Sequence, residues 1–107
     1  MAYDIHLAKK KSDAIKSNPN ISLSEEIHKA IFNNQAIVTR KFPMFKSMED
    51  FYRDTTYFNS SLENLHTELL EIENATSNDE CHDLIKNLIS LFVKAKNENF
   101  NIYCFCD

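Results

Sequence analysis

Cysteine and histidine are the residues from which chemistry would start. Cys81-His82 and Cys104-x-Cys106 together offer four thiol or imidazole donors. Zinc is held by four such donors converging tetrahedrally, most often from C-x2-4-C knuckles. Here the cysteine spacing is tighter, and a flat strand would set the Cys104 and Cys106 thiols on one face roughly 6–7 Å apart. That is awkward for one ion unless the strand ends in a turn. Cys81 falls on the apolar stripe of its own helix, where a free cysteine packs as a small hydrophobe. The cysteines therefore read as core, and no metal or cofactor is expected.

The four histidines (His6, His28, His66 and His82) are scattered. His66 has Glu63 and Glu68 near it, an acid–base pair in outline. A catalytic histidine also needs an orienting partner and a nucleophile within reach, and no serine or cysteine motif supplies one. The chain has no glycine, which removes every Gly-rich phosphate loop and with it Walker and Rossmann chemistry. Lys9-Lys10-Lys11 could meet a phosphate, but three lysines are few against a net charge of −4; they read as a solvated turn. No catalytic residue and no nucleic-acid partner are expected.

What stands out is charge placed beside aromatic rings. Residues 1–46 carry eight Lys/Arg and four Asp/Glu, whereas residues 47–107 carry four and twelve. From Glu49 to Asp83 there are ten acids and one base, Arg53. Surface helices ordinarily mix signs to gain i,i+4 pairs, and a one-signed face gives up that support. Such a field repels nucleic acid and attracts basic protein surfaces. At its start lies "SMEDFYRDTTYF" (47–58), with Phe51, Tyr52, Tyr57 and Phe58 among Glu49, Asp50 and Asp54. Tyrosine is enriched in interface hot spots. Tyr52 and Tyr57 are expected outward as anchors, with Phe51 and Phe58 turned to the core. Glu68, Glu71, Asp79 and Glu80 lie in the same charged zone and are second-choice contacts.

The elements that position these residues can be read from periodicity. "YDIHLA" (3–8) alternates as a short strand, and "KKKSDAIKSNPN" is a polar connection with room for one helical turn. "SLSEEIHKAIFNN" reads as a helix. Ser22 and Glu25 make a capping box, and Leu23, Ile27, Ala30 and Ile31 face inward. "AIVTRKF" (36–42) is β-branched, a strand or a buried loop. Ser47, with Asp50, caps a short helix. Ser60 or Ser61 opens a long one striped by Leu62, Leu65, Leu69 and Ile72. Ser77 and Glu80 box a further helix running to about Asn97, with Cys81, Leu84, Ile85, Leu88, Leu91, Phe92 and Ala95 inward. "FNIYCFC" (100–106) is a last strand. With no glycine, turns that need positive φ fall to asparagine, and Asn18, Asn20, Asn33, Asn34, Asn59, Asn78 and Asn99 stand where turns are expected.

The expected architecture is a mainly α, α+β single domain over 1–107. A body of about four helices, including a long helical hairpin, carries a small sheet of short strands near the two termini. The start lacks the apolar run of a signal peptide, and three cysteines cannot all pair within the chain, so reduced thiols and the cytoplasm are expected.

"YDI", "ISLSEE", "SMEDFYRD", "LENLHTELLEI" and "CFCD" together resemble small bacterial immunity proteins that accompany polymorphic or contact-dependent growth-inhibition toxins. The Asp50-Phe51-Tyr52-Arg53-Asp54 segment precedes the helix pattern Leu62–Leu69 as in several such families. The resemblance implies a cytoplasmic, non-enzymatic protein that binds one cognate toxin domain, in a 1:1 complex, and covers its active site. Many such toxins are nucleases with basic clefts. Glu49, Asp50 and Asp54 would then face Lys/Arg of the toxin. Two other readings stay open: an acidic mimic of nucleic acid that occupies a regulator, and a small metal-binding domain built on Cys81, Cys104 and Cys106.

Overall fold

The two ends of the chain meet in the middle of the sheet. In the computed structural model, which describes residues 1–38 and 41–106, strand β1 (Ala2–Ala8) runs antiparallel to strand β4 (Asn101–Cys106). The register runs from Tyr3 opposite Cys106 to Ala8 opposite Asn101. Strand β2 (Ile21–Ser24) adds to the free side of β1 and strand β3 (Thr55–Tyr57) to the free side of β4. The order is β2-β1-β4-β3, antiparallel throughout. Successive side chains alternate across a strand. One face therefore gathers Tyr3, Ile5, Leu23, Tyr57, Ile102 and Cys104 into the main core. The other face carries Ala8 and Tyr103, buried with Ala14 of helix α1 (Lys11–Lys16).

The helices cover the inner face. They are α2 (Glu25–Phe32), the single turn α3 (Gln35–Val38), α4 (Leu62–Ala75) and α5 (His82–Asn97), with 3-10 turns at Phe45–Met48 and Asn59–Ser61. The fold is α+β, as expected, with the small sheet formed around the terminal strands. Helix α4 buries Leu62, Leu65, Leu69 and Ile72, the expected stripe. Helix α5 buries Ile85, Leu88, Phe92 and Ala95, with Leu84 and Leu91 packed half-buried against the same core. Lys94 and Lys96 lie in its last turn, where the helix dipole favours cations. Among the described residues no helix is long and apolar enough to cross a membrane.

Several local expectations are corrected. Helix α2 is capped by Ser24, whose hydroxyl accepts from the Ile27 N–H at 3.2 Å. Ser22 instead sits in β2 and donates to Asp4 Oδ1 at 2.6 Å. Leu23 buries itself as a strand residue, and the helix turns His28, Ile31 and Phe32 inward, leaving Ile27 and Ala30 exposed. The strand expected over 36–42 is absent from the described part. Asn34 Oδ1 accepts from the Ala36 N–H at 2.9 Å and opens α3 instead. Thr39 and Arg40 of that stretch lie outside the described residues, as does Asp107 of "CFCD". Ser47 does not cap a helix but lies within a 3-10 turn, and its carbonyl accepts from the Thr55 hydroxyl at 2.8 Å. The turn before α5 is held by Asp79, not Ser77: its Oδ1 accepts from the Cys81 N–H at 2.9 Å.

Among the described residues Asn99 alone has positive φ, at 60°. It follows Glu98, the C-cap of α5, in a Schellman-type ending, where the Phe100 N–H reaches back to the Ala95 carbonyl at 2.9 Å. Asn20, Asn34 and Asn59 serve through their side chains. Asn59 donates to the Ala95 and Phe100 carbonyls, and Asn20 accepts from the Leu7 N–H. Asn99→Gly should therefore leave stability unchanged or slightly higher in a urea titration. Asn99→Val should lower it by about 1–2 kcal/mol, the cost of forcing a β-branched residue left-handed.

Candidate functional site

His28 is a residue whose importance the sequence did not disclose. It points inward from α2, fully surrounded, with its ring centroid 5.1 Å from Tyr3, 4.8 Å from Phe32 and 5.2 Å from Phe51. Its Nε2 donates to the Met48 carbonyl at 2.6 Å, which fixes the tautomer that carries hydrogen on that nitrogen. This bond ties α2 to Met48, the last residue before the segment 49–54. The available signal was spacing: His28 shares a helical face with Ile31 and Phe32.

The tied segment forms the wall of a cleft. Phe51 is buried against Tyr3 and His28. Tyr52, the next residue, turns out to solvent and is 64% exposed, its ring set edge-on to Phe51 at 5.3 Å. The Tyr52 N–H donates to Asp50 Oδ1 at 3.0 Å, an Asx turn that fixes the direction in which Tyr52 leaves the backbone. Its hydroxyl reaches toward Glu25 Oε1 of α2 at 3.5 Å. The cleft so formed, of about 430 Å³, is lined by Glu25, Lys29, Glu49 and Asp50 at its rim and by Phe51 and Tyr52 at its side. Three of the expected contacts (Glu49, Asp50 and Tyr52) are thus brought together. Glu25 and Lys29 join them from an element the sequence reading did not connect to this site.

The other expected contacts disperse. Asp54 is exposed but borders a separate polar hollow with Arg53, Ser47 and Thr55. Tyr57 is a correction: it is buried, opposite Ile102 on the inner face of β3, and donates to the Met44 carbonyl at 2.5 Å. Strand alternation then sends Phe58 outward, 60% exposed, where the core was expected. Glu68 is committed to the fold, accepting from the backbone N–H of Met44 at 3.2 Å and Phe45 at 2.9 Å. That leaves it unavailable as an acid–base partner for His66. Glu71 is exposed on α4. Asp79 accepts from the Cys81 N–H and from Asn34 Nδ2 at 2.7 Å, and these bonds, the first foremost, hold its carboxyl below the usual range. Glu80 borders a different groove, between α2 and α5.

The cysteines are separated by the fold. Cys81 is buried at the start of α5, and Cys104 is buried at the centre of the sheet. Among the described residues no group of three or more His, Cys, Asp or Glu is placed to hold a metal ion. Burial pushes the Cys104 thiol up to about 12 and raises the tyrosine hydroxyls of Tyr3 and Tyr57 well above their usual range. The lysine cluster lies against aromatic rings: Lys9 Nζ is 5.9 Å from the Phe100 centroid and Lys11 Nζ is 5.9 Å from that of Phe105.

Comparison of the chain with protein families, with curated proteins and with solved structures finds no match.

Two outcomes follow from the division between structural and exposed groups. Glu68→Ala should cost about 2 kcal/mol in urea denaturation, because two backbone donors lose a charged acceptor. Glu71→Ala should stay within about 0.5 kcal/mol. The raised Cys104 thiol stays protonated in the folded state while the unfolded thiol ionises near 9.0. Its contribution is therefore intact below that pH and is lost as pH climbs toward about 12. Replacing it in Cys104→Ala should make the alkaline decline of stability shallower by up to about 1.4 kcal/mol per pH unit.

Proposed function

We propose that this chain is a non-enzymatic immunity protein of the cytoplasm. It binds a toxin domain, probed by its acidic, tyrosine-bearing cleft, and blocks it in a 1:1 complex. The observation that carries the reading is the placement of Tyr52: a largely exposed ring held in one direction by Asp50, above a buried aromatic base and beside Glu25 and Glu49. A rigid tyrosine loses little entropy on binding and serves as an anchor. The carboxylates around it suit a basic surface, such as a nuclease cleft, and opposite fields raise the association rate. The resemblance of "SMEDFYRD" and "LENLHTELLEI" to immunity proteins of contact-dependent inhibition systems supports the same reading. The contact set is Glu25, Glu49, Asp50 and Tyr52. Tyr57 is left out because it is buried, and Glu68 and Asp79 because both oxygens of each carboxylate are engaged within the fold. A prominent tyrosine favours this reading over a pure mimic of nucleic acid, which needs spaced carboxylates and no aromatic anchor.

The test is capture of partners by tagged protein at low and high salt, followed by affinity measurement with the partner recovered. A single partner with a basic domain, held less tightly at high salt, is expected. Tyr52→Ala and Asp50→Ala should each weaken binding about tenfold or more while the fold is kept, since both residues are exposed. Unchanged affinity in both variants, or absence of a protein partner at either salt, would refute the proposal.

A further inference from the structure

Helix α2 has a second flank. Its inward face packs His28, Ile31 and Phe32, and its Tyr52 side borders the cleft above. On the remaining side it runs beside the start of α5 without closing on it, and a groove of about 560 Å³ lies between them. The floor is apolar. Ile27 is 46% exposed, Leu84 is half-buried, and Ala30 is too short to fill the space between the helices. The rim is acidic: Glu26 stands on the α2 side, with Glu80 and Asp83 on the α5 side. Among the described residues no lysine or arginine lines it.

An apolar trough between two helices, bordered by one sign of charge, has the complement of a particular ligand. Amphipathic helices dock by laying an apolar face into such a groove, with anchors at i, i+3, i+4 and i+7. Opposite charge at the rim sets orientation and excludes acidic competitors. We infer that the α2/α5 groove is a docking site for an amphipathic, lysine- or arginine-flanked helical segment of a protein partner. The inference rests on the reading that the chain binds a basic partner, and it adds a second contact region some way round α2 from Tyr52. Because Glu25 and Glu26 are neighbours in sequence, one helix then serves both contact regions. A second copy of this chain is the competing occupant. Its α1 offers Ile15, 66% exposed, with Lys11 and Lys16, but α1 is six residues long and offers a single exposed apolar anchor to a longer floor.

The probe is a synthetic helical peptide with leucines at i, i+4 and i+7 and lysines between, titrated into the isotope-labelled full chain and followed by amide chemical shifts. Two control peptides replace the lysines by glutamates or scramble the leucines. Saturable shifts should cluster at residues 26–31 and 80–87, and neither control should produce them. Ile27→Ser and Asp83→Lys should each weaken binding about tenfold. Both side chains are exposed, so the variants should keep the wild-type spectrum, and Ala30→Lys, which fills the trough, should abolish binding. Absence of saturable shifts, shifts centred elsewhere, or equal binding of the glutamate peptide would overturn the inference. So would concentration-dependent dimerisation abolished by Ile15→Ser. The peptide titration judges the groove alone, and partner capture judges the immunity reading, so either can fail while the other stands.

Discussion

The pairing of β1 with β4 is the constraint on which the rest of the molecule hangs. It joins residues about a hundred positions apart along the chain, from Tyr3 opposite Cys106 to Ala8 opposite Asn101. Such a contact carries a large loop-closure cost, and its reward is the central ladder of the sheet. Each partner then offers its free side to one short strand. β2 lies on β1 and ends at Ser24, which caps α2; β3 lies on β4 and ends at Tyr57, whose hydroxyl holds the Met44 carbonyl. The two edges of the sheet therefore set where α2 begins and where the segment 49–54 returns to it. The cleft is a product of sheet register before it is a product of any surface residue.

The surface charge divides along the same line. The acids of the second half of the chain appeared as one field in the sequence. In the fold six of them separate into three groups with different work. Glu68 and Asp79 accept backbone N–H donors and hold turns. Glu49 and Asp50, with Glu25, frame Tyr52. Glu80 and Asp83, with Glu26, border the groove. A carboxylate bonded to backbone donors stabilises the fold, and an exposed one contributes to a field. Asp50 does both: one oxygen accepts the Tyr52 N–H, and the side chain stays exposed at the cleft.

Much of the helical body was legible because the periodic signal was long. The stripe Leu62, Leu65, Leu69 and Ile72 extends over several turns, and so does the buried face of α5 with Ile85, Leu88, Phe92 and Ala95. The closing strand was legible as a short apolar run, but the strand order, with the first and last strands paired at its centre, was not. The failures sit where elements are shortest. β2 and β3 span four and three residues, too few for alternation to be distinguished from a helix start or a loop. Reading "SLSE" as a helix opening shifted the inward face of α2 and hid both His28 and the exposed Ile27. Missing β3 exchanged Tyr57 with Phe58. That Glu49, Asp50 and Tyr52 border one cleft was legible from their closeness in the chain. Its completion by Glu25 depends on a contact across 27 positions, the Tyr52–Glu25 approach, which no local pattern encodes.

Helix α2 borders both surfaces, facing Tyr52 on one side and α5 on the other. The most direct test is hydrogen–deuterium exchange of this chain alone and in complex with the partner it captures. Protection concentrated at residues 25–31, 49–54 and 80–87 is the predicted footprint. Protection concentrated instead on α1 and the outer face of β4, around residues 9–16 and 101–106, would contradict the account and move the interface to the basic half of the chain.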